Sequence, residues 1–245
     1  MSEALQNKIE QPVTQSSWLA SLRQPDLIRI SDMDLTTTTY GCDQDWYPEQ
    51  WQRQAGCGPC TAATILYYLS RSRQNLKHLY TAFSHAQPDF TQFMSEIWHY
   101  VTPTHMGVNE ASILVKGVEA YARSHAVALT GLVAKIPRLP KRCAPIGDLI
   151  RFIRDGLESD CPVAFLNLSN GKLDNLDSWH WVTVTGLLSG QDGAPQAVIA
   201  DSGEYKVIDL GLWYQTSLLG GAAVYFKVKS ESSQAADLFD KSSIE

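Results

Sequence analysis

The point at which hydrophobic periodicity changes along the chain constrains the fold most. Residues 58–71 carry apolar Ala62, Ile65, Leu66 and Leu69 at helical spacing, and 90–101 carry Phe90, Phe93, Met94, Ile97 and Val101 in the same rhythm. A third helix is predicted over 109–124 with Asn109 as its N-cap, and a fourth over 146–157. After that the period shortens. Strands are predicted at 161–168 (CPVAFLNL), 180–188 (HWVTVTGLL), 197–201 (AVIAD), 206–210 and 222–228 (AAVYFKV), with turn signals at Gln191-Asp192-Gly193 and Asp201-Ser202-Gly203. Helices followed by strands predict an α+β fold, an N-terminal helical half packed on a C-terminal antiparallel sheet. Without an internal repeat or a low-complexity linker, one domain is expected over 17–229, and the polar, aperiodic ends at 1–16 and 230–245 are expected to be flexible.

Composition narrows the function classes. Twenty Lys and Arg stand against 26 Asp and Glu, a net charge of −6 that predicts no nucleic-acid partner. No apolar run reaches the roughly 18–20 residues of a membrane helix, and the start MSEALQNKIEQPVTQ lacks the basic-then-apolar pattern of a signal peptide. A cytoplasmic location without a membrane partner is therefore expected. Five cysteines, an odd number, do not describe a disulfide framework, and Cys42, Cys143 and Cys161 are too scattered to complete a zinc site, so no metal is expected.

The remaining two cysteines, Cys57 and Cys60, stand together at a predicted helix start. Pro59 suits a first helical turn, which puts Cys57 just ahead of the helix and Cys60 inside its first turn. Unpaired N–H groups and the positive end of the helix dipole both lower a thiol pKa there, and the thiolate is the nucleophile. Buried small hydrophobes are the bland alternative for this pair. Cys57-Gly58-Pro59-Cys60 is also letter for letter the dithiol motif of thioredoxin-like oxidoreductases, but residues 47–56 before it are too polar for the buried strand that precedes the motif in a βαβ unit. Nucleophilic catalysis requires a histidine, and His180 opens a predicted strand between Trp179 and Trp181. Asp201 ends the next strand, where an antiparallel neighbour brings a carboxylate beside the His180 ring. Gln52 and Gln54 are the candidate side-chain donors to an oxyanion. Cys60 is the alternative nucleophile, because Gln54 stands six residues before it, a separation like that of papain.

Cys57, His180 and Asp201 in this order resemble the papain-like cysteine peptidases, most closely the C39-like branch. Gly56-Cys57-Gly58-Pro59-Cys60-Thr61-Ala62-Ala63 is similar to that branch's helix start, and His180-Trp181-Val182-Thr183-Val184-Thr185-Gly186 to its histidine strand. Weaker likeness covers Gly107 to Ser124 and the strand at Asp160-Cys161-Pro162-Val163, and phytochelatin-synthase-like transpeptidases are more distant relatives. The position of the family's oxyanion glutamine falls on Trp51, flanked by Gln50 and Gln52. The resemblance implies a papain-like fold and a peptidase or amidase that cleaves or transfers an amide acyl group. It also implies a peptide or amide-containing substrate and no cofactor. A non-catalytic binding module on the same fold is the rival class, and oligomeric state is not legible in the residues.

Overall fold

The computed structural model describes residues 17–229, and the ends expected to be flexible, 1–16 and 230–245, lie outside the described residues. The strands are β1 (Ser17–Ser21), β2 (Arg29–Ser31), β3 (Thr38–Tyr40), β4 (Leu129–Ile136), β5 (Val163–Asn167), β6 (His180–Ser189), β7 (Pro195–Asp201), β8 (Glu204–Asp209) and β9 (Gly221–Val228). The α-helices are α1 (Gln50–Ala55), α2 (Cys57–Ser72), α3 (Gln87–Tyr100), α4 (Ala111–Ser124), α5 (Pro140–Cys143), α6 (Ile146–Glu158) and α7 (Leu210–Thr216). The architecture is a mixture of helices and antiparallel sheet, an α+β fold.

All the predicted elements form, with shifted ends. The third helix begins at Ala111 with Glu110 as N-cap, so Asn109 stays outside it. The separation into a helical half and a sheet half is incomplete. β1 pairs with β6, and β4 sits between α4 and α6 in sequence but joins the large sheet beside β9. Neither strand announces itself, because β1 is short and mostly exposed and β4 is a half-exposed edge with Gly131 in its interior.

The large sheet has the order β4-β9-β5-β6-β7-β8, with β1 continuing along β6 beyond β5, and every pairing between named strands is antiparallel. β5 is buried throughout and β6 almost so, as expected for central strands that are covered on both faces. α2 and α6 both pack against these strands, α2 the more extensively. The α2 residues from Gly58 to Ser70 are all buried, so the stripe at Ala62, Ile65, Leu66 and Leu69 is part of a helix enclosed on every side. One cluster of buried apolar residues extends from Leu22 to Phe226, with Trp213, Tyr67, Tyr121, Phe90 and Phe165 among its largest members. Burial of each such side chain contributes about 1.5–3 kcal/mol.

Two local features fix the distance between α2 and the sheet. A Cβ on Gly58 would lie 2.7 Å from Val108 Cβ, so only glycine lets the 105–109 loop lie against the helix start. Held there, the Val108 carbonyl accepts a 2.5 Å hydrogen bond from Trp181 Nε1 on β6. Helix start, loop and strand are thereby locked together next to the two cysteines.

Candidate active site

Cys57 is the first residue of α2, which begins two residues earlier than Pro59 predicts. Proline is tolerated in the first turn because its missing N–H would have no intrahelical acceptor there. α1 ends at Ala55, so Gly56 alone separates the two helices. The dithiol motif therefore follows a helix and not a strand. Cys57 is half-buried, whereas Cys60 is buried.

His180 is the first residue of β6, and Thr183 pairs with Ala200 on β7, which brings Asp201 opposite Val182 and one diagonal step from His180. The His180 Nε2 to Asp201 Oδ1 distance is 2.6 Å. With Nε2 taken, the other ring nitrogen remains, and Cys57 lines the same small inner space as His180 and Asp201. Burial opposes protonation of His180, but the bonded Asp201 carboxylate and the nearby Cys57 sulfur outweigh that, and its pKa is pushed up to about 10. Asp201 is 4% exposed at its side chain. Burial would raise its pKa, yet His180 and Lys206 together lower it to about 2. Both shifts favour the charged forms, an imidazolium beside a carboxylate.

Lys206 and Ser202 complete the setting of the carboxylate. Lys206 Nζ lies 2.9 Å from Asp201 Oδ2 and 3.4 Å from Glu204 Oε2, and Ser202 Oγ donates to Asp201 Oδ1 at 3.2 Å. The sequence reading did not find Lys206, although a signal was available. Asp201-Ser202-Gly203-Glu204 is a two-residue hairpin in which Ser202 (φ 50°) and Gly203 (φ 74°) both take positive φ, the type I′ pattern. That turn sets the register of β8 and places Lys206 across from Ile199, diagonal to Asp201.

The two oxyanion candidates separate. Gln52 Oε1 accepts from the Glu49 N–H at 3.4 Å in the capping box of α1, which commits that side chain to the helix start. Gln54 instead lines a cavity of about 220 Å³ together with Cys57, Trp51, Met106, Val108 and Trp179. Trp179 stands at φ 58°, a strained conformation for a non-glycine residue directly before His180. Trp51 also forms part of the wall of this cavity.

Cys60 does not line the outer cavity. It faces an inner space of about 20 Å³, which it shares with Cys42, Cys57, His180 and Asp201. Burial, and then the neighbouring Cys42 thiol, raise the Cys60 thiol well above its ordinary pKa. Among the described residues no group of three or more His, Cys, Asp or Glu side chains could hold a metal ion.

The outer cavity continues into a wider groove of about 830 Å³, and the two share Asn109, Leu166 and Leu168. Val115, Val133, Ile136 and Leu219 give the groove an apolar floor, and Lys116, Lys135 and Arg138 stand around it with Glu110 as the opposing charge.

No protein-family model matches the chain, and no curated protein matches it. No helix among the described residues is long and apolar enough to cross a membrane.

Proposed function

We propose that the chain is a papain-like, C39-like cysteine peptidase or amidase with Cys57 as nucleophile, His180 as general acid and base, and Asp201 as the group that orients His180. The observation that carries this reading is His180 itself, bonded to Asp201 at 2.6 Å and lining one small inner space with Cys57. In the first step the Cys57 thiolate adds to an amide carbonyl, forming a carbon–sulfur bond and an oxyanion. The Gln54 side-chain N–H serves that oxyanion, since Gln52 is committed to its helix cap. The His180 imidazolium passes its proton to the amine nitrogen, the carbon–nitrogen bond breaks, and a thioester remains. A water or an acceptor amine then gives a proton back to His180, attacks the thioester and releases Cys57. Asp201 keeps the ring oriented throughout and stabilises its charged form.

The groove beyond Leu166 and Leu168 supports an elongated amide substrate, in which apolar groups rest on the groove floor and acidic groups approach Lys116, Lys135 and Arg138. Labelling by a thiol-directed peptidyl electrophile tests the assignment of the nucleophile, using Cys57→Ala and Cys60→Ala read by mass spectrometry of the intact chain. Loss of labelling only in Cys57→Ala is expected. Loss only in Cys60→Ala would reverse the assignment, and loss in neither would remove the motif from the mechanism.

A further inference from the structure

The second cysteine of the motif has no part in the reaction proposed above. We propose that Cys60 is the resolving thiol of a reversible Cys57–Cys60 disulfide, formed when a peroxide oxidises Cys57, so that oxidation switches the nucleophile off without destroying it. The consequence for activity rests on the proposed catalytic role of Cys57, but the disulfide itself does not.

The two residues are three apart in the first turn of α2. At a helical rise of 1.5 Å per residue and a Cα radius of 2.3 Å, their Cα atoms are about 5 Å apart, within the range that a disulfide bridges. Side chains at this spacing share a helix face, and both of these reach the same inner cavity beside His180. Their accessibility differs in the direction the chemistry needs. Cys57 opens onto the outer cavity, where a small oxidant arrives, and Cys60 is sealed behind it. The Cys60 thiol shares the inner cavity with the Cys42 thiol, which itself donates to the Cys60 carbonyl at 3.3 Å. Cys42 holds that turn from below and is the competing partner. All three are free thiols in this structure, the reduced state.

The steps balance. The Cys57 thiolate attacks one peroxide oxygen, the sulfur–oxygen bond forms as the oxygen–oxygen bond breaks, and the departing hydroxide takes the His180 proton to become water. The Cys60 sulfur then attacks the Cys57 sulfenic acid. A sulfur–sulfur bond forms, the sulfur–oxygen bond breaks, and the leaving hydroxide takes the Cys60 thiol proton. Two thiols have lost two electrons and hydrogen peroxide has been reduced to water. Capture at this stage keeps Cys57 from the sulfinic and sulfonic acids, which a thiol reductant cannot reverse.

The test uses the full chain, treated with hydrogen peroxide, quenched with iodoacetamide and mapped without reduction. The peptide containing Cys57 and Cys60 should be two hydrogens lighter, lose both alkylation sites, and regain them after dithiothreitol. Cys60→Ser should instead accumulate Cys57 carrying two or three oxygens. The proposal is overturned if wild-type Cys57 gains oxygen while Cys60 remains alkylatable, or if the bridge joins Cys60 to Cys42. Peptidyl-electrophile labelling of the untreated chain separates the two ideas. A chain that labels at Cys57 but forms no bridge refutes this inference alone, and one that bridges without labelling refutes the catalytic reading alone.

Discussion

Asp201→Asn removes one charge from the site while leaving an oxygen where the carboxylate accepts from His180 Nε2 at 2.6 Å. Lys206 keeps a partner in Glu204 at 3.4 Å, so the substitution does not strand a second charge. An opposite charge at contact distance shifts a titrating group by about 1–3 pH units. The His180 midpoint, pushed up to about 10 in the wild type, should therefore fall by that amount. At about 1.4 kcal/mol per pH unit, the imidazolium loses about 1.4–4 kcal/mol of its stabilisation. The sign for folding follows from the direction of the shift. A histidine raised above its ordinary value of 6.5 contributes stability in full below that pH, and the contribution is lost as pH rises through about 10. In Asp201→Asn the loss is complete at a lower pH, so the His180 contribution to the difference between the two proteins should be largest below about pH 6.5 and vanish above about pH 10. Asp201 itself, lowered to about 2, contributes stability present above 3.8 and lost as pH falls toward 2, a limb that the variant lacks. An NMR titration of the His180 ring, assigned with His180→Gln, reads the first effect, and thermal denaturation across pH reads the second. An unchanged His180 midpoint in Asp201→Asn would refute the coupling.

Lys206→Met should move His180 the other way, to a higher midpoint, because Asp201 no longer shares its charge with the ammonium; a lower midpoint in the same titration would contradict this. Gly58→Ala should cost about 1–3 kcal/mol through the clash with Val108, seen as a lower urea midpoint, and a wild-type midpoint would mean that the loop gives way freely. Asp160→Ala should cost about 1–3 kcal/mol for each group it strands, because buried Asp160 accepts from Tyr68 Oη at 2.6 Å and from the Arg23 N–H at 3.0 Å. A loss of melting temperature under about 2 °C would show that water replaces the carboxylate there.

What was legible in the sequence follows the strength of the local signals. Long periodic stretches such as Phe90 to Val101, and the apolar strands from Cys161 and His180, announce themselves because burial of one face or both leaves a pattern. The juxtaposition of His180 and Asp201 was legible because sequential strands joined by a short turn are antiparallel neighbours. β4 was not, since its pairing with β9 depends on residues about ninety positions away and its exposed edge carries no continuous apolar run. The choice between Gln52 and Gln54 was equally hidden. Their spacing differs by two residues, and only the capping box at Glu49 shows which one the helix has claimed. Lys206 was within reach had the I′ turn been used to set register.

β9 has a consequence for how the molecule comes to be. It lies between β4 and β5, pairing with both, although it follows them in the chain by about sixty residues or more. Until 221–228 have been synthesised, β4 and β5 have no common neighbour, and each presents unpaired backbone groups. β1 waits as well, because its partner β6 ends at Ser189. A growing chain thus carries Cys57 and its helix long before it has the strand that binds the sheet into one piece. Contacts of such sequence separation form slowly. The thiol therefore spends its early life without the imidazole beside it, because His180 lies far along the chain from Cys57. An incompletely made chain has the cysteine but not yet the histidine.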